Sequence, residues 1–253
     1  MYYILAGSGV GLAVGLTGVG GGSLMTPLLL AFGFPLHIAV GTDLLFAAIT
    51  KSGGAWTHAR LGSVRWDLTL AMAAGSLPAA GLTIAALYFL FDSPDQYAGI
   101  LTTTLGLTLI LTSMAIVFRS RLSGLVGTDA DQREATPKRI LPLLGALLGV
   151  LVTLSSVGAG AIATAMLLIA FPALQSLKIV GTDIAHAVPL TFFAGLGHLL
   201  LGNVDFLLLA ALLLGSIPAV SIGARLATFV PDGVMRPVLA TMLCGIGIKF
   251  AFF

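Results

Sequence analysis

From Tyr2 to Phe34 the chain carries no charged side chain, and within that run Gly18, Gly20, Gly21 and Gly22 fall in five positions. At about 1.5 Å of rise per residue, one helix over this run would far exceed the ~20 residues that cross a ~30 Å hydrocarbon core. Four glycines so close together are poor helix, because each costs about 1 kcal/mol relative to alanine. The run is therefore predicted to be two half-helices meeting at a glycine break. Lipid offers no partner to bare N–H and C=O groups, so irregular backbone at bilayer depth persists only where it lines protein or water. Gly18, Gly20, Gly21, Gly22 and Ser23 are thus the first candidates for a binding site.

The composition agrees with a membrane setting. Of 253 residues, 58% are hydrophobic and 9% charged, against roughly 25% charged in soluble domains. The expected class is an all-α, polytopic membrane protein. Eight apolar segments are readable, at about 2–31, 38–57, 67–91, 97–118, 139–170, 177–201, 206–229 and 234–253. No basic region precedes the first of them, so residues 2–31 read as mature structure and not as a cleaved leader. The scattered positive charge speaks against nucleic acid. The single cysteine, Cys244, reads as a packing residue. No Cys/His zinc spacing, P-loop or nucleophile elbow is present, so neither an enzyme, a metal nor a cofactor is expected.

The chain repeats itself. Shifted by 140 residues, Gly18-Val19-Gly20 falls on Gly158-Ala159-Gly160, and Val40-Gly41-Thr42-Asp43 on Val180-Gly181-Thr182-Asp183. His58 falls on His198, and Gly75-Ser76-Leu77-Pro78 on Gly215-Ser216-Ile217-Pro218. A constant register through Gly, Asp, His and Pro positions indicates internal duplication. Residues 1–118 form the first repeat, 119–138 a polar cytoplasmic linker, and 139–253 the second repeat.

Charge orients the repeats. If the first and fifth segments are re-entrant hairpins, then Arg60, Arg65, Arg119, Arg121, Arg133, Lys138, Arg139, Lys178, Arg225 and Arg236 share one face. These are ten of the twelve Lys and Arg residues. If those segments cross fully, the same residues are split between faces. The positive-inside rule favours hairpins and makes the basic face cytoplasmic. Each repeat then has a broken or re-entrant hairpin helix plus three transmembrane helices. Three crossings per repeat invert the second repeat relative to the first. Both termini are expected outside the cell (inner) membrane.

Several polar residues inside the apolar segments could carry chemistry. Half-helix ends at Gly18–Ser23 and at Gly158 and Gly160 would aim unpaired N–H groups and partial positive charge inward, which suits an anion. Asp43 and Asp183 each follow a threonine, Thr42 and Thr182. A carboxylate within a span is expensive unless paired or hydrated, so both are candidates for coupling or gating. Lys51 sits near the centre of its segment, flanked by Thr50 and Ser52, and its symmetry mate is Thr191. It is the expected cationic contact for an anion, with its neighbours as donors. His58, His198 and His186 titrate near neutrality and are further coupling candidates.

Gly18-Val-Gly-Gly-Gly-Ser, Gly41-Thr-Asp-Leu, His58-Ala-Arg-Leu-Gly62, Gly181-Thr-Asp-Ile-Ala-His186 and Gly197-His-Leu-Leu-Leu-Gly202-Asn-Val-Asp205 together resemble the TauE/SafE sulfite-exporter family. The resemblance covers nearly the whole chain in both halves. Where many members have serine after the Gly-Thr of the second segment, this chain has Asp43. The resemblance implies a secondary transporter, commonly an exporter, of sulfite or an organosulfonate. The expected partners are a small anion, membrane lipids, a coupling proton and further copies of the chain. The rival classes are a passive anion channel and a non-transporting assembly subunit.

Overall fold

The computed structural model describes residues 2–17, 22–124, 138–172, 174–227 and 232–252. Among these the secondary structure is helical: α1 (Tyr2–Thr17), α2 (Gly22–Ala31), α3 (Leu36–Arg60), α4 (Trp66–Leu90), α5 (Pro94–Gly124), α6 (Leu141–Ser155), α7 (Ala161–Ala170), α8 (Ser176–Leu200), α9 (Phe206–Ala227) and α10 (Asp232–Phe252). The protein is an all-α, polytopic membrane protein. Large apolar side chains such as Leu82, Phe89, Leu200 and Leu207 are 72–80% exposed on its outer surface, as contact with lipid requires. Trp66–Leu90, Pro94–Phe118 and Ser176–Leu200 are long and apolar enough to span on their own. α3 has the same 25-residue length, interrupted by Asp43 and Lys51.

The first and fifth segments each split into two helices. In the first half the Tyr3 ring, at the start of α1, lies 5.2 Å from Phe34, just beyond the end of α2. The chain has therefore turned back on itself. In the second half Leu141 opens α6, Phe171 follows α7 and Ile179 lies in the first turn of α8, and all three share one cluster with Leu68. The directions of the neighbouring helices agree. Gly145 and Gly149 of α6 meet Met72 and Ser76 of α4, so α6 and α4 run parallel. Ser76, Gly81 and Ile84 of α4 meet His186, Phe193 and Gly197 of α8 in that order, so α4 and α8 also run parallel. With α6 and α8 pointing the same way, α7 has to return between them.

Equivalent helices of the two halves run antiparallel. Leu45 and Gly54 of α3 face Gly195 and Ile184 of α8, and Gly106 and Ser113 of α5 face Ala251 and Ala240 of α10. The packing partners exchange in the same way, α1 lying on α9 and α6 on α4. The register behind this is not uniform. From α3 onward a shift of 140 holds: the amide of Asp205 donates to Thr42 Oγ1 at 3.1 Å and the amide of Arg65 to Thr182 Oγ1 at 3.0 Å. In the hairpins the shift is 138. Gly7 and Gly11 pack on Leu212 and Ser216 as Gly145 and Gly149 pack on Met72 and Ser76. The gap-free pairing of Gly18 with Gly158 is thus two residues out, and Gly22 is the counterpart of Gly160. The difference is absorbed between hairpin and third helix.

Arg60, Arg65, Arg139 and Lys178 stand where α3 ends and where α4, α6 and α8 begin, at one edge of the bundle. Of the linker, residues 125–137 lie outside the described residues, as does Arg133.

Close helix approach depends on glycine. A methyl group built at Gly75 would overlap the Pro142 carbonyl oxygen and approach the Ala146 nitrogen to 2.9 Å, whereas one built at Gly99 meets nothing within 4 Å. Gly75→Leu is expected to cost about 1–3 kcal/mol or more, seen as a lower thermal midpoint and reduced folded yield in detergent. Gly99→Leu should leave both unchanged.

Candidate functional site

The second hairpin tip and the start of α2 reach the interior, and polar groups collect between them. At the second tip α6 ends on Ser156 in the left-handed conformation (φ 58°). Gly158 (φ 119°) and Gly160 (φ 146°) then reverse the chain, at torsions that side-chain-bearing residues avoid. The first helical bond of α7 runs from the Thr164 amide to the Gly160 carbonyl at 2.8 Å. The Ala163 amide donates back to the Gly158 carbonyl at 3.2 Å, which leaves the amides of Ala161 and Ile162 ahead of these bonds at the start of the helix. Between the two glycines, the Ala159 carbonyl accepts a 2.6 Å hydrogen bond from Lys51 Nζ of α3. A lysine of the first half thus holds the tip of the second.

The two carboxylates are mounted alike. Thr26 of α2 donates to Asp43 Oδ2 at 2.6 Å, and Thr164 of α7 donates to Asp183 Oδ2 at 2.7 Å. Asp43 is fully buried and Asp183 is 4% exposed. Each carboxylate therefore ties a long helix to the returning arm of its own hairpin. Thr26 and Thr164 follow Gly22 and Gly160 by four residues, one turn into the second half-helix. Each Asp lies seven residues into its helix, about 10 Å from the end. Because α3 and α8 are antiparallel, the two carboxylates sit at opposite depths. Lys51, nine residues from the other end of α3, stands nearer the level of Asp183 and lies within Coulombic range of both. Three buried oxygens close to this region have no hydrogen-bond partner: Ser23 Oγ, Asp43 Oδ1 and Ser156 Oγ, with Ser156 beside the Asp43 carboxyl.

A cavity of about 140 Å³ leads to Lys51. Gly160, Thr164, Leu168, Val180, Asp183 and Ile116 line it, and it extends toward the edge where α8 begins. Leu24 of α2 joins Leu239, Leu243 and Val157 in one cluster, with Leu28, Leu30 and Leu36 packed against it.

The remaining expected site residues divide clearly. Gly18, Gly20 and Gly21 lie outside the described residues, while Gly22 opens α2. Thr50 and Ser52 are exposed and hydrogen-bond to Phe46 O and Ala48 O of their own helix at 2.8 and 2.7 Å. One residue along a helix is a turn of about 100°, so neither side chain points with Lys51. The hydroxyls of Thr42 and Thr182 receive the amides that precede α9 and α4. His58 Nδ1 meets Ser63 Oγ at 2.8 Å at the end of α3. His198 Nδ1 accepts from Asn203 Nδ2 at 3.1 Å, which leaves its Nε2–H to donate to Thr153 O at 2.9 Å. It is a neutral strut between α8 and α6. His186 Nε2 pairs with Ser76 Oγ at 2.8 Å, and Nδ1 has no hydrogen-bond partner. Among the described residues no group of three or more His, Cys, Asp or Glu side chains is placed to hold a metal.

Sequence reasoning passed over Thr26 and Thr164. The signal was a glycine followed four residues later by threonine in both halves, hidden because the 140-residue shift does not align them.

The chain matches the family model described as "Sulfite exporter TauE/SafE" over residues 3–250. It is 38% identical over 248 residues to the probable membrane transporter protein YjnA of Bacillus subtilis (strain 168), covering 97% of each chain. It is 26% identical over 231 residues to the probable membrane transporter protein YdhB of the same organism, covering 91% of each. No solved structure matches.

Removing a hydroxyl that serves a buried carboxylate costs about 1–3 kcal/mol. Thr26→Val and Thr164→Val are each expected to lower the thermal midpoint in detergent, and Thr→Ser at either position should restore most of it.

Proposed function

The chain belongs to the sulfite exporter TauE/SafE family of membrane transporters, and from that premise we propose that it moves a small sulfur-containing anion, sulfite or an organosulfonate, by alternating access. The observation that carries this reading is the Lys51 ammonium at the second hairpin tip, at the inner end of a cavity. An oxyanion entering there meets a cation and the first amides of α7, and its oxygens replace the Ala159 carbonyl as acceptors for Lys51. Charge-assisted hydrogen bonds of this kind are about twice as strong as neutral ones. The substrate contacts in this reading are Lys51, Gly160, Thr164 and, at the other tip, Gly22 and Ser23.

The membrane orientation follows from the basic edge, which the positive-inside rule makes cytoplasmic. The second hairpin then enters from the cytoplasm and the first from outside, in the manner of inverted repeats. The cavity beside Asp183, with Asp43 fully buried, corresponds to a state open to the cytoplasm. Exchanging the two arrangements between the halves opens the other side, and the direction expected from the family is export.

Saturable counterflow of labelled sulfite or an organosulfonate in proteoliposomes tests the function. Lys51→Met is expected to raise the half-saturating concentration about tenfold or more, the equivalent of one hydrogen bond to a charged group. An unchanged value removes Lys51 from the site, and a panel of anions none of which moves removes the transport reading. For the orientation, a Cys244→Ser background with Phe34→Cys should label from outside, and one with the exposed Leu61→Cys only from the cytoplasm.

A further inference from the structure

The site that holds Lys51 has two carboxyl groups and one ammonium. Each half contributes one interior carboxylate, Asp43 and Asp183, and each carboxylate is buried. Among the described residues Lys51 is a cation that both of them face. By sequence the other Lys and Arg residues fall at helix ends or in the linker, apart from Lys249 near the C-terminal end of α10. One ammonium is thus shared between two carboxylates before any substrate arrives, and it has no charge to spare. An anion brought to Lys51 adds like charge to a water-poor interior, which disfavours the ionised form of every carboxylate there.

We infer that the anion travels with protons, one for each negative charge it carries, and that Asp43 and Asp183 are the proton sites, so that transport is electroneutral. The inference rests on the reading of the chain as an anion transporter. Its balance is simple. A monoanion plus one proton, or a dianion plus two, leaves the net charge of the site as it was. Two carboxylates accommodate both cases. No bond other than O–H is made or broken, and the protons leave with the anion on the opposite side.

The surroundings of the two groups suit this role. Asp43 faces Thr26 of α2, Ser156 at the second tip and Lys51 of its own helix. Its Oδ1 has no hydrogen-bond partner and is an acceptor to which a proton adds without displacing one. Asp183 faces Thr164 of α7 and Lys51 of α3. His186, one turn further along α8, is turned to Ser76 of α4 and also senses Lys51. Asp183 lines the cavity and exchanges its proton with that side in this conformation. Asp43, fully buried here, does so in the opposite one.

The experiment uses the intact protein in proteoliposomes, with labelled sulfite and labelled isethionate as the probes and counterflow at equal pH as the reference. With the potential clamped by potassium and valinomycin, an inward proton gradient of one pH unit should accumulate a monoanion about tenfold. A potassium diffusion potential of either sign, without a pH gradient, should leave net uptake unchanged. Uptake driven by that potential, or by a sodium gradient, overturns the inference while the transport reading stands. Absence of counterflow with either probe removes the transport reading itself. Asp183→Asn, a permanently neutral stand-in, should lose proton-driven accumulation. Accumulation at the wild-type level in a folded Asp183→Asn protein overturns its role as a proton site. The wild-type measurements decide the question even where the variant does not fold.

Discussion

Helix ends cannot face lipid, and in this protein helices end in the middle of the bundle. The second hairpin brings the first amides of α7 and the Ala159 carbonyl to such a place, groups that water would satisfy at an ordinary helix end. The rest of the architecture supplies what water would have. Long helices α3 and α8 pass each tip and offer a side chain to it: Asp43 takes the Thr26 hydroxyl, Asp183 takes the Thr164 hydroxyl, and Lys51 takes the Ala159 carbonyl. The outer helices close around these contacts with little side-chain volume between them, which is why Gly75 and Gly145 stand where α4 and α6 meet. Remove the demand of the tips for partners and there is no reason for three charged residues inside the bundle.

Much of this was legible in the residues alone. An apolar run too long for one crossing and broken by glycines can only be two helices, and the count of basic residues per face distinguishes a hairpin from a kinked crossing. Periodicity and charge are properties of the chain itself. Pairing between distant segments is not. The two-residue slip between the hairpins and the rest of the repeat has no mark in a gap-free comparison, because apolar helices tolerate either register. It becomes visible only where Gly7 and Gly145 meet their neighbours at equivalent places. The same slip hid Thr26 and Thr164. Thr50 and Ser52 illustrate a different gap between sequence and space: on a helix the residues beside Lys51 point away from it and satisfy their hydroxyls on their own backbone.

The pairs that obey the twofold and those that break it do different work. Thr42 and Thr182, and His58 and His198, recur in both halves and hold the turns where one helix hands over to the next. Asp43 and Asp183 recur and hold the hairpins. Lys51 and His186 do not recur. Their counterparts are Thr191 and Phe46, and Ser216, the counterpart of the Ser76 that pairs with His186, keeps a hydroxyl with no hydrogen-bond partner. A duplicated scaffold supplies two equivalent ways of closing. A single cation placed off the axis makes them unequal, because only one tip can be held by it at a time.

That inequality bears on how the two halves communicate. Lys51 belongs to the first half and binds the tip of the second, while Asp183 of the second half lies nearest to it. A ligand that draws the ammonium away from the Ala159 carbonyl therefore loosens the second hairpin without touching any residue of α7 beyond its first turn. The conformational change and the binding event share one hydrogen-bond donor. Ligands shift a two-state equilibrium only by their differential affinity for the two states. Here the difference resides in whether Lys51 has the backbone or the anion as its acceptor. The carboxylates set how much charge that exchange can tolerate, and the threonines set where the carboxylates stand.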